Sequence, residues 1–308
     1  MSGLASLVLS MAELTMIDKH CKDICQNIQK LHTNTPNCFI YFLGGCLPAR
    51  AVIHFKQLTL FGMISRLPND PLNIHARNIL ITAKPSSKSW FCQIRDICLT
   101  YQLPHPLQIL SNPPTKEHFR KTIKSKIVDH WETKLRKKAS SLSSLKYFNP
   151  CFMSLTKPHP IWTTAGSNPY EVAKSIQQAR FLSGRYRTEY LCRHWSANVK
   201  GFCLSPTCDQ TEENIEHILL FCGAYTSVRD NLTSLWLSNS NPIVHYLAFD
   251  ALTSSPDYLV QFILDCSVLP RVITAVQDYG KIILDILFYL TRTWCFSIHR
   301  QRMKMVVV

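Results

Sequence analysis

Apolar residues recur at three- and four-residue intervals along most of this chain, and that rhythm predicts a mainly α-helical protein. In the first third, Ile17, Cys21, Ile24, Cys25, Ile28 and Leu31 keep helical spacing. Pro48 suits a first helical turn, and Val52, Phe55, Leu58 and Met63 then fall along one side of a helix running to about Leu67. Asp70-Pro71 opens a further helix, because Asp caps and Pro fits the first position. Ser86, Ser87 and Ser89 precede a stripe of Trp90, Ile94, Ile97 and Tyr101. Prolines interrupt the pattern from Leu103 to Pro114. Phe119, Ile123, Ile127, Trp131 and Leu135 then return every four residues on one long amphipathic helix.

Residues 140–167 are rich in Ser, Pro and Thr and lack periodicity, so they read as an irregular linker. Asn168-Pro169 caps a new helix that ends near Gly184. Helical spacing resumes in TSVRDNLTSLWL, in YLVQFIL and in a long run from Val272 to Met303. The expected organisation is therefore an N-terminal helical domain (1–110), a basic amphipathic helix (111–139), the linker, and a helical domain (168–308) built around a small Cys/His module at 200–225.

Composition adds direction. The chain has 308 residues, 34 Lys+Arg against 20 Asp+Glu, and a formal net charge of +14. That surplus favours polyanions, nucleic acid first and acidic membrane surfaces second. It is clustered: nine Lys/Arg lie between Lys116 and Lys138, Arg120, Lys121 and Lys124 among them, so this helix face can grip phosphates or simply be solvated. Only 18% of residues are charged and 46% are hydrophobic, which argues for a packed core. Thirteen cysteines, an odd number, disfavour a closed disulfide framework and suggest thiols in a reducing compartment, nuclear or cytoplasmic. No run of about 18 uncharged apolar residues stands out as a membrane span. Ile282–Thr291 is short, carries Asp285 and reads as a core helix. The apolar N-terminus lacks a basic lead and meets Glu13 at once, unlike a signal peptide.

The sharpest chemical signal is FCLSPTCDQTEENIEHILLFC, in which Cys203, Cys208, His217 and Cys222 give C-x4-C-x8-H-x4-C. Three thiolates and one imidazole within twenty residues suit tetrahedral Zn²⁺, closed by four protein ligands and hence structural. Ser205-Pro206 supplies a turn between the first two ligands, and a helix starting at Glu212 would carry His217. Cys222 must then sit at or past that helix's end. Cys192 or His194 could replace one ligand. Just upstream, Arg180, Arg185, Arg187 and Arg193 interleave with Phe181, Tyr186, Tyr190 and Trp195. Guanidinium forks bind phosphates and rings stack on unpaired bases, although some of these aromatics must fill a core. Arg292, Trp294, His299, Arg300, Arg302 and Lys304 form a basic helix end that also suits the helix dipole.

These motifs resemble the C-terminal region of non-LTR (LINE-type, jockey-like) retrotransposon polyproteins. The matching positions are Arg185, Tyr186, Arg187, Cys203, Cys208, Glu216, His217, Leu219, Cys222, Tyr225 and Arg229, within residues 176–236. More loosely similar flanks extend the resemblance over the chain, with residues 1–110 corresponding to helices after the polymerase palm. The resemblance implies a piece of a reverse transcriptase polyprotein that handles element RNA and target DNA. The polymerase itself is not expected here, since its palm needs adjacent aspartates and this chain has none. Nor is the family's endonuclease, because S-D-H is absent. The expectation is a truncated, non-enzymatic, zinc-stabilised binder of RNA or DNA. Two alternatives stay open: a residual restriction-like nuclease using Asp257 and Asp265, and a decayed interaction fragment.

Overall fold

A computed structural model describes residues 2–84, 87–194 and 200–306. It is mainly helical, and among the described residues the only β pairing is an isolated antiparallel bridge between Phe202 and Glu212. The helices in chain order are α1 (Met11–Ile28), α2 (Asn37–Gly44), α3 (Ala49–Ser65), α4 (Pro71–Thr82), α5 (Trp90–Thr100), α6 (Pro106–Ser111) and α7 (Lys116–Ser140). They continue with α8 (Pro160–Thr163), α9 (Pro169–Leu182), α10 (Glu189–Cys192), α11 (Thr226–Leu237), α12 (Pro242–Thr253), α13 (Pro256–Asp265), α14 (Pro270–Tyr279) and α15 (Lys281–Val306). Two compact units result: unit 1 comprises residues 1–25 and 45–137, and unit 2 comprises 26–44 and 138–308.

Local signals set most helix starts in unit 1. Asp70 accepts a hydrogen bond from the Leu72 N–H and Ser89 from the Phe91 N–H, each satisfying an amide that the helix itself leaves unpaired. The proline-interrupted stretch contains α6, which is too short for periodicity to reveal. His105 caps it, and Gln108 answers in a reciprocal capping box. The five stripe residues of α7 are all buried, as their spacing requires. A chain of polar contacts fixes that helix: the Trp131 indole N–H donates to the Tyr101 hydroxyl at 3.1 Å, and that hydroxyl meets His54 Nδ1 at 2.9 Å. Burial pushes the Tyr101 hydroxyl up to about 12 and His54 down to about 4, so a neutral hydroxyl meets a neutral ring.

Two of the expected helix faces differ. On α3 the fully buried positions include Ala51, Ile53, Gln57, Leu58, Phe61 and Ser65, while Met63 is exposed. Ile24 and Ile28 of α1 are likewise exposed, and Leu14 is the buried apolar anchor there. A helix this apolar offers several competing stripes, and packing partners choose among them.

Unit 2 is assembled from distant pieces. Helix α2 buries Cys38, Phe39, Ile40, Tyr41, Phe42 and Leu43, and Phe39 meets Phe148 with ring centroids 4.8 Å apart. Phe148 belongs to the segment expected as an irregular linker. That segment instead carries two 3-10 turns and α8, and it buries Leu145, Tyr147, Phe148, Met153, Leu155 and Ile161. Helix α15 forms the spine, packing against α9, α13, α14 and α11. The long C-terminal run is two helices, not one, because Gly280 takes φ 84° between α14 and α15. Ile283, Leu287, Phe288 and Leu290 are buried, in keeping with the expected core helix. By length and composition Pro256–Tyr279 and Lys281–Met305 are apolar enough to cross a bilayer, with mean hydropathy 1.6 and 1.2. About half of each window, 56% and 50%, is buried within the fold.

A candidate metal centre

A short loop brings the first two cysteines together. The Cys203 N–H donates to the Thr211 carbonyl at 2.8 Å, the Thr211 N–H returns to the Cys208 carbonyl at 2.9 Å, and the Phe202–Glu212 bridge closes the loop's base. Ser205 caps a 3-10 turn over Pro206–Cys208, as the Ser-Pro pair leads one to expect. Asp209 and Gln210 then reverse the chain at φ 24° and 56°, positions where side chains are uncommon.

The second pair is joined by an unusual helix. Helical geometry begins at Ile215, three residues later than the sequence suggests, and continues as a π-helical turn over His217–Phe221. Its closing hydrogen bond runs from the Cys222 N–H to the His217 carbonyl at 2.8 Å, a five-residue step. Ligands five apart do not share a face of an ordinary α-helix. A π turn makes residues five apart neighbours, and Cys222, extended at φ −61° and ψ 120°, ends the helix and turns back.

One ligand atom from each of Cys203, Cys208, His217 and Cys222 lies within 4.8 Å of all the others. The sulfurs of Cys203 and Cys222 are 3.6 Å apart and those of Cys208 and Cys222 3.7 Å. A disulfide needs about 2.05 Å. A tetrahedral ion with sulfur ligands at about 2.3 Å needs edges of about 3.8 Å, which the spacing matches. His217 Nε2 is buried without a hydrogen-bond partner, an orphan that ligation would satisfy. Burial, opposed by Glu213 and helped by Arg229, lowers the His217 value and favours the neutral imidazole that metals bind.

Backbone amides complete the thiolate environment. Ser205 donates to Cys203 Sγ at 3.4 Å, and amides of Gly223 and Ala224 act on Cys208 and Cys222. Burial raises the Cys203 and Cys222 thiols, whereas at Cys208 burial is outweighed by hydrogen bonds from Gly223 and Thr207, with net lowering. The cluster can therefore hold a metal ion. Neither Cys192 nor His194 belongs to it.

The upstream arginines and aromatics divide. Arg180 is spent on the Lys30 carbonyl, with Nε at 3.0 Å and Nη2 at 2.8 Å. Tyr186 is buried, stacks on Phe181 at 3.7 Å and bonds His299 Nδ1 at 2.9 Å, so it belongs to the core. Arg193 pairs with Glu212 at 2.9 Å and lies 3.9 Å over the Tyr190 ring. Arg187 is exposed, and Arg185 and Tyr190 are half-buried. Trp195 lies outside the described residues. In unit 1, Arg120, Lys121 and Lys124 are exposed beside an apolar groove with Phe55 and Ile127. Of the C-terminal basic group, Arg292 is buried on Glu171 at 2.7 Å and Arg302 on Glu213, whereas Arg300 and Lys304 are exposed.

The two acids considered for a nuclease occupy different surroundings on α13. Asp257 is exposed and, with Glu216, receives Lys146 Nζ and the Tyr147 hydroxyl, at 2.9 Å each to Asp257. Asp265 is fully buried between His159 Nε2 at 3.2 Å and Ser267. Eight residues along a helix put them about 12 Å apart in rise. Glu213 is the neighbour of the cluster that sequence reasoning leaves without a role. It reads as a solvated acid at a helix start, and only the fold reveals it as a buried anchor for the loop. No family model, curated protein or solved structure matches this chain.

Proposed function

We propose that this protein binds nucleic acid through a module stabilised by structural zinc. The observation that carries the reading is the convergence of three thiols and one imidazole directly after an arginine–aromatic segment. That donor set and its spacing suit Zn²⁺ over harder cations, and four protein ligands leave no open position for catalysis. Zinc would fix the Cys203–Cys222 loop, and Arg185, Arg187, Arg120, Lys121 and Lys124 would supply phosphate contacts. The net charge of +14 supports the choice of a polyanionic partner. The motif resemblance to non-LTR retrotransposon polyproteins points the same way, towards element RNA or target DNA in a reducing compartment. The separate surroundings of Asp257 and Asp265 favour binding over cleavage.

The experiment is a titration of purified, metal-analysed protein with labelled RNA and DNA across a salt series. A binder of this kind loses affinity steeply and linearly in log–log form as salt rises. Stoichiometric zinc without nucleic-acid affinity at low salt would overturn the reading and leave an interaction protein.

A further inference from the structure

Beside the metal module, unit 2 contains a cavity of about 550 Å³, within the roughly 300–1,000 Å³ typical of small-ligand sites. Its walls come from three places: the serine-rich stretch at 141–147, the turn and helix at 184–191, and Asn214–Glu216 leading into the π turn. Gly184 makes the first two walls meet. At φ 63° it brings its backbone so close to Ser144 that an added Cβ would fall 1.8 Å from the Ser144 carbonyl oxygen.

One cation in this cavity lacks an answer within the fold. Arg185 Nε is buried without a hydrogen-bond partner, and no described carboxylate lies within salt-bridge reach of the guanidinium. Arg180, Arg193 and Arg302 nearby are each committed to an oxygen. A buried donor on a fixed charge is costly to leave unmet, so the wall around Arg185 selects an anion. Lys146, also in the lining, is already paired with two carboxylates, Glu216 and Asp257, so its charge is not available to an anion. The rest of the lining mixes serines and leucines with rings, Tyr190 and His194 among them. Tyr190 has Arg193 over one face, which holds the ring, and His194 stands edge-on to it with centroids 5.9 Å apart.

An unpaired guanidinium and rings in the lining of one cavity are what a nucleotide needs. We propose that this cavity takes a single unpaired nucleotide of a bound strand, its phosphate on Arg185 and its base against Tyr190 and His194. The assignment deepens the nucleic-acid reading above and rests on it, although a free nucleotide shares the same chemistry.

The test compares the full chain with Arg185→Gln, Arg185→Lys and Tyr190→Leu, each first shown to keep wild-type helicity and metal content. Ligands are a labelled single-stranded oligonucleotide, the corresponding duplex, and adenosine monophosphate as competitor. Arg185→Gln and Tyr190→Leu should each weaken single-strand binding about ten-fold, with Arg185→Lys between, and each should weaken single-strand binding more than duplex binding. Adenosine monophosphate should compete for the wild type and not for Arg185→Gln. Strand binding unaltered by both substitutions overturns the cavity assignment and leaves the broader function standing. Competent binding of adenosine monophosphate with no affinity for either polymer does the reverse: the cavity is then a free-nucleotide site and the nucleic-acid reading falls.

Discussion

The Glu213 carboxylate, fully buried, receives Arg302 Nε at 3.2 Å and Nη2 at 2.8 Å. Its Oε2 also accepts the Glu189 backbone N–H at 2.6 Å. One acid thus ties the Cys/His loop to α10 and to the spine helix α15. Removing Glu213 leaves the buried Arg302 with only the longer pairing to Glu189 at 3.8 Å, and Glu213→Ala should cost about 3 kcal/mol in urea unfolding. Replacing both, as Glu213→Leu with Arg302→Met, should recover most of that loss. A single variant with wild-type stability would show the pair to be incidental.

His54 makes stability depend on pH. Its folded value is about 4 against 6.5 when free, chiefly through burial, with Arg50 and His130 adding to it. Between those values the unfolded chain binds a proton that the folded chain does not, so stability rises with pH across this window. Acidification from 6.5 towards 4 should remove up to about 3 kcal/mol through this residue. His54→Gln, followed by urea unfolding at both ends of the window, should flatten the dependence by that amount. An unchanged slope would locate the sensitivity elsewhere.

Two glycines separate backbone strain from crowding. Gly166 sits at φ 62° with open space where a Cβ would lie, and Gly184 sits at φ 63° with the Ser144 oxygen 1.8 Å from that point. Gly166→Ala should cost about 1–2 kcal/mol, the penalty for a left-handed side chain alone. Gly184→Ala should cost about 3 kcal/mol or more, because backbone must move as well. Calorimetric midpoints distinguish the two, and equal shifts would contradict the close approach.

Metal content is the direct check on the Cys/His cluster. Purified protein should carry one zinc per chain by elemental analysis, and cobalt substitution should give the visible absorption of a tetrahedral thiolate site. Cys208→Ser and Cys222→Ser should lose the metal. Cys192→Ser should keep it, since Cys192 stands outside the cluster.

For the basic helix α7, each of Arg120→Ala, Lys121→Ala and Lys124→Ala should reduce the salt slope of nucleic-acid binding by about 0.7–0.9 if the residue meets a phosphate. A slope identical to the wild type in the triple variant would confine binding to unit 2.

Much of this molecule follows from neighbouring residues alone. Asp70-Pro71, Ser89 and Asn168-Pro169 start helices because a side-chain oxygen and a fixed φ act over two or three positions. The four-residue stripe of α7 announces its own buried face, and the cysteine–histidine spacing singles out the four residues that the fold brings together. The five-residue step from His217 to Cys222 put Cys222 at or past a helix end, and the π turn that joins them is a feature of the fold. What tertiary structure alone decided involves partners far apart in the chain. Residues 26–44 join unit 2, the serine- and proline-rich segment buries Phe148 on Phe39, Tyr186 is core, and Glu213 finds Arg302 across 89 positions. Periodicity records only that a side chain needs burial or pairing. Which distant surface supplies it depends on how whole helices fit together, and that information is spread over the entire chain.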